Sequence, residues 1–391
     1  MIPFRKALDL LLENAPCLAT ESCHLGNASG RVLRQEIIAD RAFPPFDRVM
    51  MDGFAMRAAE LVSVRKFLVT GIAPAGSPRA QLTEAPASCL EVMTGAPVPG
   101  GADCIVPVER TERDGGKITV DADFAPTAGL FIHRAGSDAA QSEVLLRAGI
   151  MLGSREIGVA ASCGAATLNV SKQPRISILP TGDELVPVDK FPAPHQIRQS
   201  NGHAIRSALQ GAGYPSLLAG TLRDDAGADG LRATMDASDW LILTGAISKG
   251  ARDFIPAALE KIGCRQLFHG VAQRPGKPAG CWIGPSGQMI IALPGNPVSA
   301  LTGLHAFVLP ALAAASGLIP SQRRMVVCAE PLTGLPDMTW HLPILIGPDG
   351  RAQTAPTGNS GDFIGLLRSD GFVTLPPRGS LQVAYPFTPW R

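Results

Sequence analysis

The sequence has few aromatic residues (5%) and little charge (18%), against about a quarter charged in an average globular domain. Its cores must therefore be packed mainly from Ala, Val, Ile and Leu. Lys and Arg (35) nearly cancel Asp and Glu (34), leaving a net charge of +1. That balance supplies no basic field and argues against a nucleic-acid scaffold or a polybasic membrane anchor. The eight cysteines, at 17, 23, 89, 104, 163, 264, 281 and 328, include no C-x-x-C pair, which argues against a zinc ribbon or a thioredoxin-type site. A reduced, cytoplasmic protein is expected. G-x-G-x-x-G and G-x-x-x-x-G-K-[ST] are absent as well, so neither a dinucleotide turn nor a Walker loop is available. The first residues, MIPFRKALDLLLENAP, are interrupted by Arg5, Lys6 and Asp9 and do not read as a signal peptide. Residues 278–322 lack Asp, Glu, Lys and Arg but contain six prolines. No apolar helix of about 20 residues fits there, so a buried strand, a loop and a buried helix are expected.

What is present suggests two to four domains, since 391 residues exceed one domain of roughly 100–200. Residues 3–14 read as an amphipathic helix, with Pro3 in its first turn and Phe4, Leu8, Leu11 and Leu12 on one face. From there to about residue 170, Gly and Pro punctuate short strands and turns without a helical period. The pattern changes at residue 173. RISILPTGDEL is an apolar strand running into a turn, and SNGHAIRSALQGAG is a helix with Ser200 or Asn201 as N-cap and Gly211 or Gly213 past its end. A strand near 216–221, a polar helix near 226–236 and the strand DWLILT follow. DFIPAALEKIG is a helix stopped by Gly263, and QLFHGV, a hairpin near 281–293 and a long helix from Pro297 complete the unit. Alternating strands and helices with continuous apolar strands predict an α/β unit, a doubly wound parallel sheet. The last 70 or so residues return to short strands, a small all-β unit.

Three loops directly follow apolar strands: Pro180-Thr181-Gly182-Asp183-Glu184, Thr244-Gly245-Ala246-Ile247-Ser248-Lys249-Gly250 and Pro294-Gly295-Asn296-Pro297. The carboxyl ends of parallel strands form one edge, where ligands bind. Glycines there let backbone N–H groups approach an anion, and helices beginning at the second and third loops add a favourable dipole. The carboxylates of Glu184, Asp224 and Asp253 would repel a bare phosphate, but they suit Mg²⁺ held between carboxylate and phosphate oxygens. RPGKP brings Arg274 and Lys277 to the same edge. The residues thus point to a Mg²⁺-assisted site for a phosphorylated or nucleotide-bearing molecule.

With these motifs in hand, the chain resembles the molybdopterin molybdotransferase family, which includes bacterial MoeA and the carboxyl-terminal domain of gephyrin. The resemblance rests on FDRVMMDGFAM, EVMTGAPVPGGADCIVPVE, RAGSD, ILPTGDEL, QIRQSNG, GAISKGARDF, RPGKP and ALPGNPVSA, in that order. It implies a discontinuous elongated domain (1–45 and 131–172), a small β-rich domain (46–130), an α/β molybdopterin-binding domain (173–320) and a carboxyl-terminal β domain (321–391). It further implies a homodimer with the active site between subunits. The activity implied is Mg²⁺-dependent insertion of molybdate into adenylylated molybdopterin with release of AMP. By motif position, Asp52, Thr94 and Asp138 would be polar groups supplied across the dimer, Glu184 and Asp224 active-site acids, and Ser248 and Asp253 metal ligands. Arg274, Lys277 and Ser299 would face the oxyanion, with Ser360 near the molybdate pocket. Thr181, Gly182, Asp183, Gly245, Pro294 and Asn296 would line the substrate site.

Several positions depart from the family pattern. Ala246 stands at a usual Gly and Ala251 at a usual acid, Arg274 replaces a Lys, and Leu342 falls where an arginine is expected. His133 and Ser137 replace an Arg and an acid. Losing cations around a dianion is costly. The alternative is therefore a weakly catalytic or non-catalytic paralogue that carries the cofactor to a client molybdoenzyme. A receptor-clustering scaffold is disfavoured by the lack of a long Ser/Pro-rich linker.

Overall fold

A computed structural model describes residues 1–247, 254–322, 324–329, 336–378 and 384–390. Contacts gather the chain into two compact units. One comprises Met1–Arg34, Ala148–Gly153 and Thr167–Arg391, and the other Gln35–Arg147 and Ser154–Ala166.

The first unit is built on a six-stranded sheet in the order Ser216–Leu218, Ile176–Pro180, Trp240–Thr244, Met289–Leu293, Gly280–Ile283, Arg265–His269. The first four strands are parallel, and Gly280–Ile283 runs antiparallel to both its neighbours. Alternate residues feed two cores. Ile176, Ile178, Trp240, Ile242, Met289 and Ile291 join the helices Phe4–Asn14, Asn201–Gly211 and 297–315. Leu179, Leu241, Leu243, Ile290 and Ala292 join Gly227–Asp236 and Ile255–Ile262. Both faces are covered, which is why these strands read as unbroken apolar runs. Gly263, at φ +90°, ends the Ile255–Ile262 helix as its position suggests.

A second sheet closes the unit. Its path runs Ile2–Pro3, Val271–Arg274, Thr339–Ile346, Gly371–Leu375, Ala384–Pro389 and Met325–Val327, with Ala352–Thr354 beside Thr339–Ile346. The strand Val271–Arg274 thus leaves the α/β layer and pairs with the carboxyl-terminal strands. Its partners there include Gln273 opposite Thr339 and Arg274 opposite Trp340. The second unit carries a six-stranded mixed sheet over residues 53–120.

Two sequence expectations change. The segment before residue 170 does contain a helix, Ser154–Ser162. It is short, with Gly158, Ala160 and Ala161 blurring its apolar stripe, so no period stands out. Pro310 does not break the helix Pro297–Ala315, which runs for 19 residues. A π-turn at Leu304–Val308 precedes it, with Leu309 N–H donating to the Leu304 carbonyl, and so shifts the ladder where proline lacks a donor. That helix is long and apolar enough to cross a membrane, but 72% of it is buried inside this unit, as a core helix would be. Residues 1–34 share a compact unit with the α/β sheet, where Ala7, Leu8 and Leu11 are buried in its core.

Candidate active site

Pro180, Thr244 and Leu293 end three adjacent parallel strands in register, and their loops therefore emerge side by side. Thr181 N–H donates to the Thr244 carbonyl (2.8 Å) and Gly245 N–H to the Leu293 carbonyl (3.1 Å), stitching the three loops together. Gly245 has φ +102°, and a Cβ there would stand 2.4 Å from the Thr181 carbonyl oxygen. Only glycine permits that approach. Asn201, expected as a possible N-cap, instead reaches across the edge. Its Nδ2 donates to Thr244 Oγ1 (3.1 Å) and to the Gly295 carbonyl (2.7 Å). Thr244 Oγ1 in turn donates to the Pro294 carbonyl (3.1 Å).

These loops enclose a cavity of about 640 Å³ whose walls include Thr181, Gly182, Glu184, Asp224, Gly245 and Asn296. The Glu184 carboxylate lies over Gly182, where a Cβ would come within 2.6 Å of Oε2. Asp183 stays off this wall. Its Oδ1 accepts from Asp224 N–H (3.3 Å) and lies 3.7 Å from Arg223 Nε, so it braces the loop carrying Asp224. Ser248 and Asp253 lie outside the described residues. Among the described residues no group of three or more His, Cys, Asp or Glu is arranged to hold a metal. Glu184 and Asp224 nevertheless suit Mg²⁺, which takes one or two carboxylates with the remaining oxygens from phosphate and water.

A second cavity, of about 450 Å³, adjoins the first and shares Pro278, Pro294 and Asn296 with it. Arg274, Lys277, Ser299, Trp340, Leu342 and Ser360 are among its walls. Neither Arg274 nor Lys277 forms an ion pair among the described residues. The carboxyl-terminal loop is locked in place: Asn296 Nδ2 donates to Ser360 Oγ (2.8 Å), and Val298 N–H to the Ser360 carbonyl (3.1 Å). Asp362 accepts N–H bonds from Gly358 and Gly365, both at 2.8 Å, which hold its carboxyl below the usual range. Pro294, Asn296 and Ser299 of the one motif ALPGNPVSA thus meet Ser360, more than sixty residues further on, in one place. The sequence reading gave no role to Gln199 or Asp362, took Asn201 only as one of two N-cap candidates and Thr244 only as the start of an edge loop. Asn201 and Asp362 do stand in the SNG and PTGNSGD motifs.

The other unit holds the remaining expected residues. Asp52 Oδ1 accepts from Thr94 N–H (2.7 Å) and Thr94 Oγ1 (2.8 Å), and these bonds lower its pKa. Asp138 Oδ1 lies 2.7 Å from His133 Nε2 and accepts from Ser137 Oγ (3.3 Å). Arg48 Nη2 is 3.1 Å from His133 Nδ1. An arginine can only donate, so Nδ1 accepts and Nε2 carries the proton that points at Asp138. The cysteines are unpaired, and burial raises the thiols of Cys89 and Cys104 to about 12, which leaves them poor nucleophiles.

Along the carboxyl edge of a doubly wound sheet, where ligands bind, one chamber carries carboxylates and the next carries cations that form no ion pair among the described residues. Residues 2–164 match the MoeA N-terminal region (domain I and II), and residues 177–314 a probable molybdopterin binding domain. The molybdopterin molybdenumtransferase of Synechocystis sp. is 34% identical over the full length of both chains. Molybdopterin molybdenumtransferase 2 of Mycobacterium tuberculosis is 37% identical over 75% of each. The crystal structure of the molybdopterin biosynthesis MoeA protein from Pyrococcus horikoshii OT3 superposes with a TM-score of 0.78, at 25% identity, covering 99% of this chain and 98% of that one. The chain belongs to the molybdopterin molybdenumtransferase family, transferases of molybdenum cofactor biosynthesis.

Proposed function

We propose that the protein inserts molybdate into adenylylated molybdopterin and releases AMP, with Mg²⁺ assisting. The observation that carries this reading is the pair of adjoining cavities, one lined by Glu184 and Asp224, the other by Arg274 and Lys277. The glycine-lined edge at Gly182, Gly245 and Gly295 would seat the diphosphate and adenylate through backbone N–H groups. Glu184 and Asp224, with Ser248 and Asp253 from the loop outside the described residues, would hold Mg²⁺. When bound, Mg²⁺ supplies charge neutralisation at the phosphoanhydride. Arg274 and Lys277, with the hydroxyls of Ser299 and Ser360, would receive the tetrahedral oxyanion beside it. Charged and hydroxyl donors of this kind are what a half-buried dianion needs. A homodimer, in which a second copy supplies Asp52, Thr94 and Asp138, is part of the proposal.

The test is molybdate-dependent release of AMP from adenylylated molybdopterin by the purified chain, with and without chelator. Turnover at micromolar molybdate that chelator abolishes is the expected result, and Lys277→Ala should lower it roughly a hundredfold. One observation favours a second reading, that of a cofactor carrier: Leu342 presents an apolar, buried wall to the second cavity. Tight binding of the adenylylated substrate with no AMP release at any molybdate concentration would decide for the carrier.

A further inference from the structure

Arg274 ends its strand at the rim of the second cavity and is exposed. An exposed arginine samples many rotamers, and ordering it on an anion costs side-chain entropy. Here the side chain is already held. Its guanidinium carbon lies 5.2 Å from the centre of the Trp340 ring, and the two residues are direct partners across paired strands. A stacked guanidinium keeps its N–H edge free for bidentate contact with an oxyanion.

The backbone beneath is fixed as well. Gln273 Nε2 donates to the Gly276 carbonyl (3.1 Å), and Val271 N–H donates to the Lys277 carbonyl (2.8 Å). The Gln273 amide oxygen is then left to accept from His341 Nε2 at 3.3 Å, while His341 Nδ1 lies 3.1 Å from Thr374 Oγ1. Trp340 and His341 are successive residues of one strand and so face opposite sides. One holds the guanidinium plane, and the other the turn that carries it.

We propose that Trp340 is a positioning residue for the oxyanion: it presents the Arg274 guanidinium to the second cavity. The inference rests on reading that cavity as the molybdate chamber. It also accounts for arginine at position 274, since a planar guanidinium stacks on indole better than an ammonium does.

The experiment is calorimetric titration of the full-length chain with sodium molybdate alone, for the parent, Trp340→Leu, Trp340→Phe, Arg274→Lys and the Arg274→Lys/Trp340→Leu double variant. Trp340→Leu should weaken molybdate about fivefold to thirtyfold, and Trp340→Phe should restore most of that. The KM for adenylylated molybdopterin should not move. In the Arg274→Lys background, Trp340→Leu should change affinity by less than about twofold, because the coupling partner is gone. In the parent, the Arg274 δ-methylene protons should be shifted upfield by the indole ring, a readout that needs no leucine variant. Unchanged affinity in Trp340→Leu, equal weakening in the Arg274→Lys background, or an unshifted Arg274 resonance would overturn the proposal. A parent that binds no molybdate removes the chamber reading, and this inference with it. A parent that binds molybdate as tightly as Trp340→Leu does removes the inference alone.

Discussion

Acidification to pH 5 should destabilise the α/β unit through two histidines far from solvent. His341 is buried edge-on between Phe4 and Phe372, and burial pushes its pKa down to about 3. His305 is stacked edge-on against Trp390, with Nε2 lacking a partner among the described residues, and burial pushes its pKa to about 4. In the unfolded chain both return to about 6.5. As pH falls through 6.5 the unfolded chain takes up protons that the folded chain refuses. The stability these histidines contribute is therefore complete above pH 6.5 and lost progressively below it. At pH 5 linkage gives a loss of about 2 kcal/mol for each histidine, about 4 kcal/mol together, with a limiting slope of about 2.7 kcal/mol per pH unit. The carboxylates held low, such as Asp239 and Asp362, add to the loss only near and below their ordinary range, so pH 6.5 to 5 isolates the histidines. Urea unfolding at half-unit pH steps measures the slope. His305→Phe keeps an aromatic edge on Trp390, removes the orphaned nitrogen and should halve the slope while gaining roughly 1 kcal/mol at pH 7.5. A flat profile over that window, or the parent's slope retained in His305→Phe, would refute the argument.

Gly245→Ala should cost about 2 kcal/mol or more, because φ +102° and a 2.4 Å approach to the Thr181 carbonyl leave no relaxed position for a methyl group. The melting temperature should fall and binding of adenylylated molybdopterin should be lost together; an unchanged melting temperature would contradict the assigned geometry. Asp52→Ala removes the one carboxylate oxygen that accepts from both Thr94 donors and should lower turnover about a hundredfold with an unaltered circular dichroism spectrum, as steady-state AMP release would show.

The sheet was legible because its strands are covered on both sides, so Ile176–Pro180 and Trp240–Thr244 show as unbroken apolar runs. The edge loops were legible too, since a strand followed by Gly and hydroxyl residues has few other readings. Ser200 and Asn201 both read as N-cap candidates, and Ser200 takes that place; the Asn201 amide suits capping and cross-loop bonding alike. Only the neighbouring strand, more than forty residues away in sequence, decides between them. Trp340 carried no signal at all. Its meaning depends on Arg274 being its partner across parallel strands, a pairing that no local pattern encodes. The six prolines of 278–322 misled about helix length for the opposite reason: the rule against proline inside helices is sound, but a wider turn just before Pro310 removes the conflict.

The strand Val271–Arg274 is made by one layer of the protein and sheltered by the other. Of the residues that share the cavity with Arg274, Trp340 and Ser360 come from the last seventy residues, while Ser299 lies in the helix that backs the parallel sheet and Asn296 is that helix's N-cap. Exchanging the terminal sheet for that of a relative would therefore reshape what the cationic chamber admits while leaving the carboxylate chamber intact. Anion choice and nucleotide handling are in that sense separately adjustable parts of one chain.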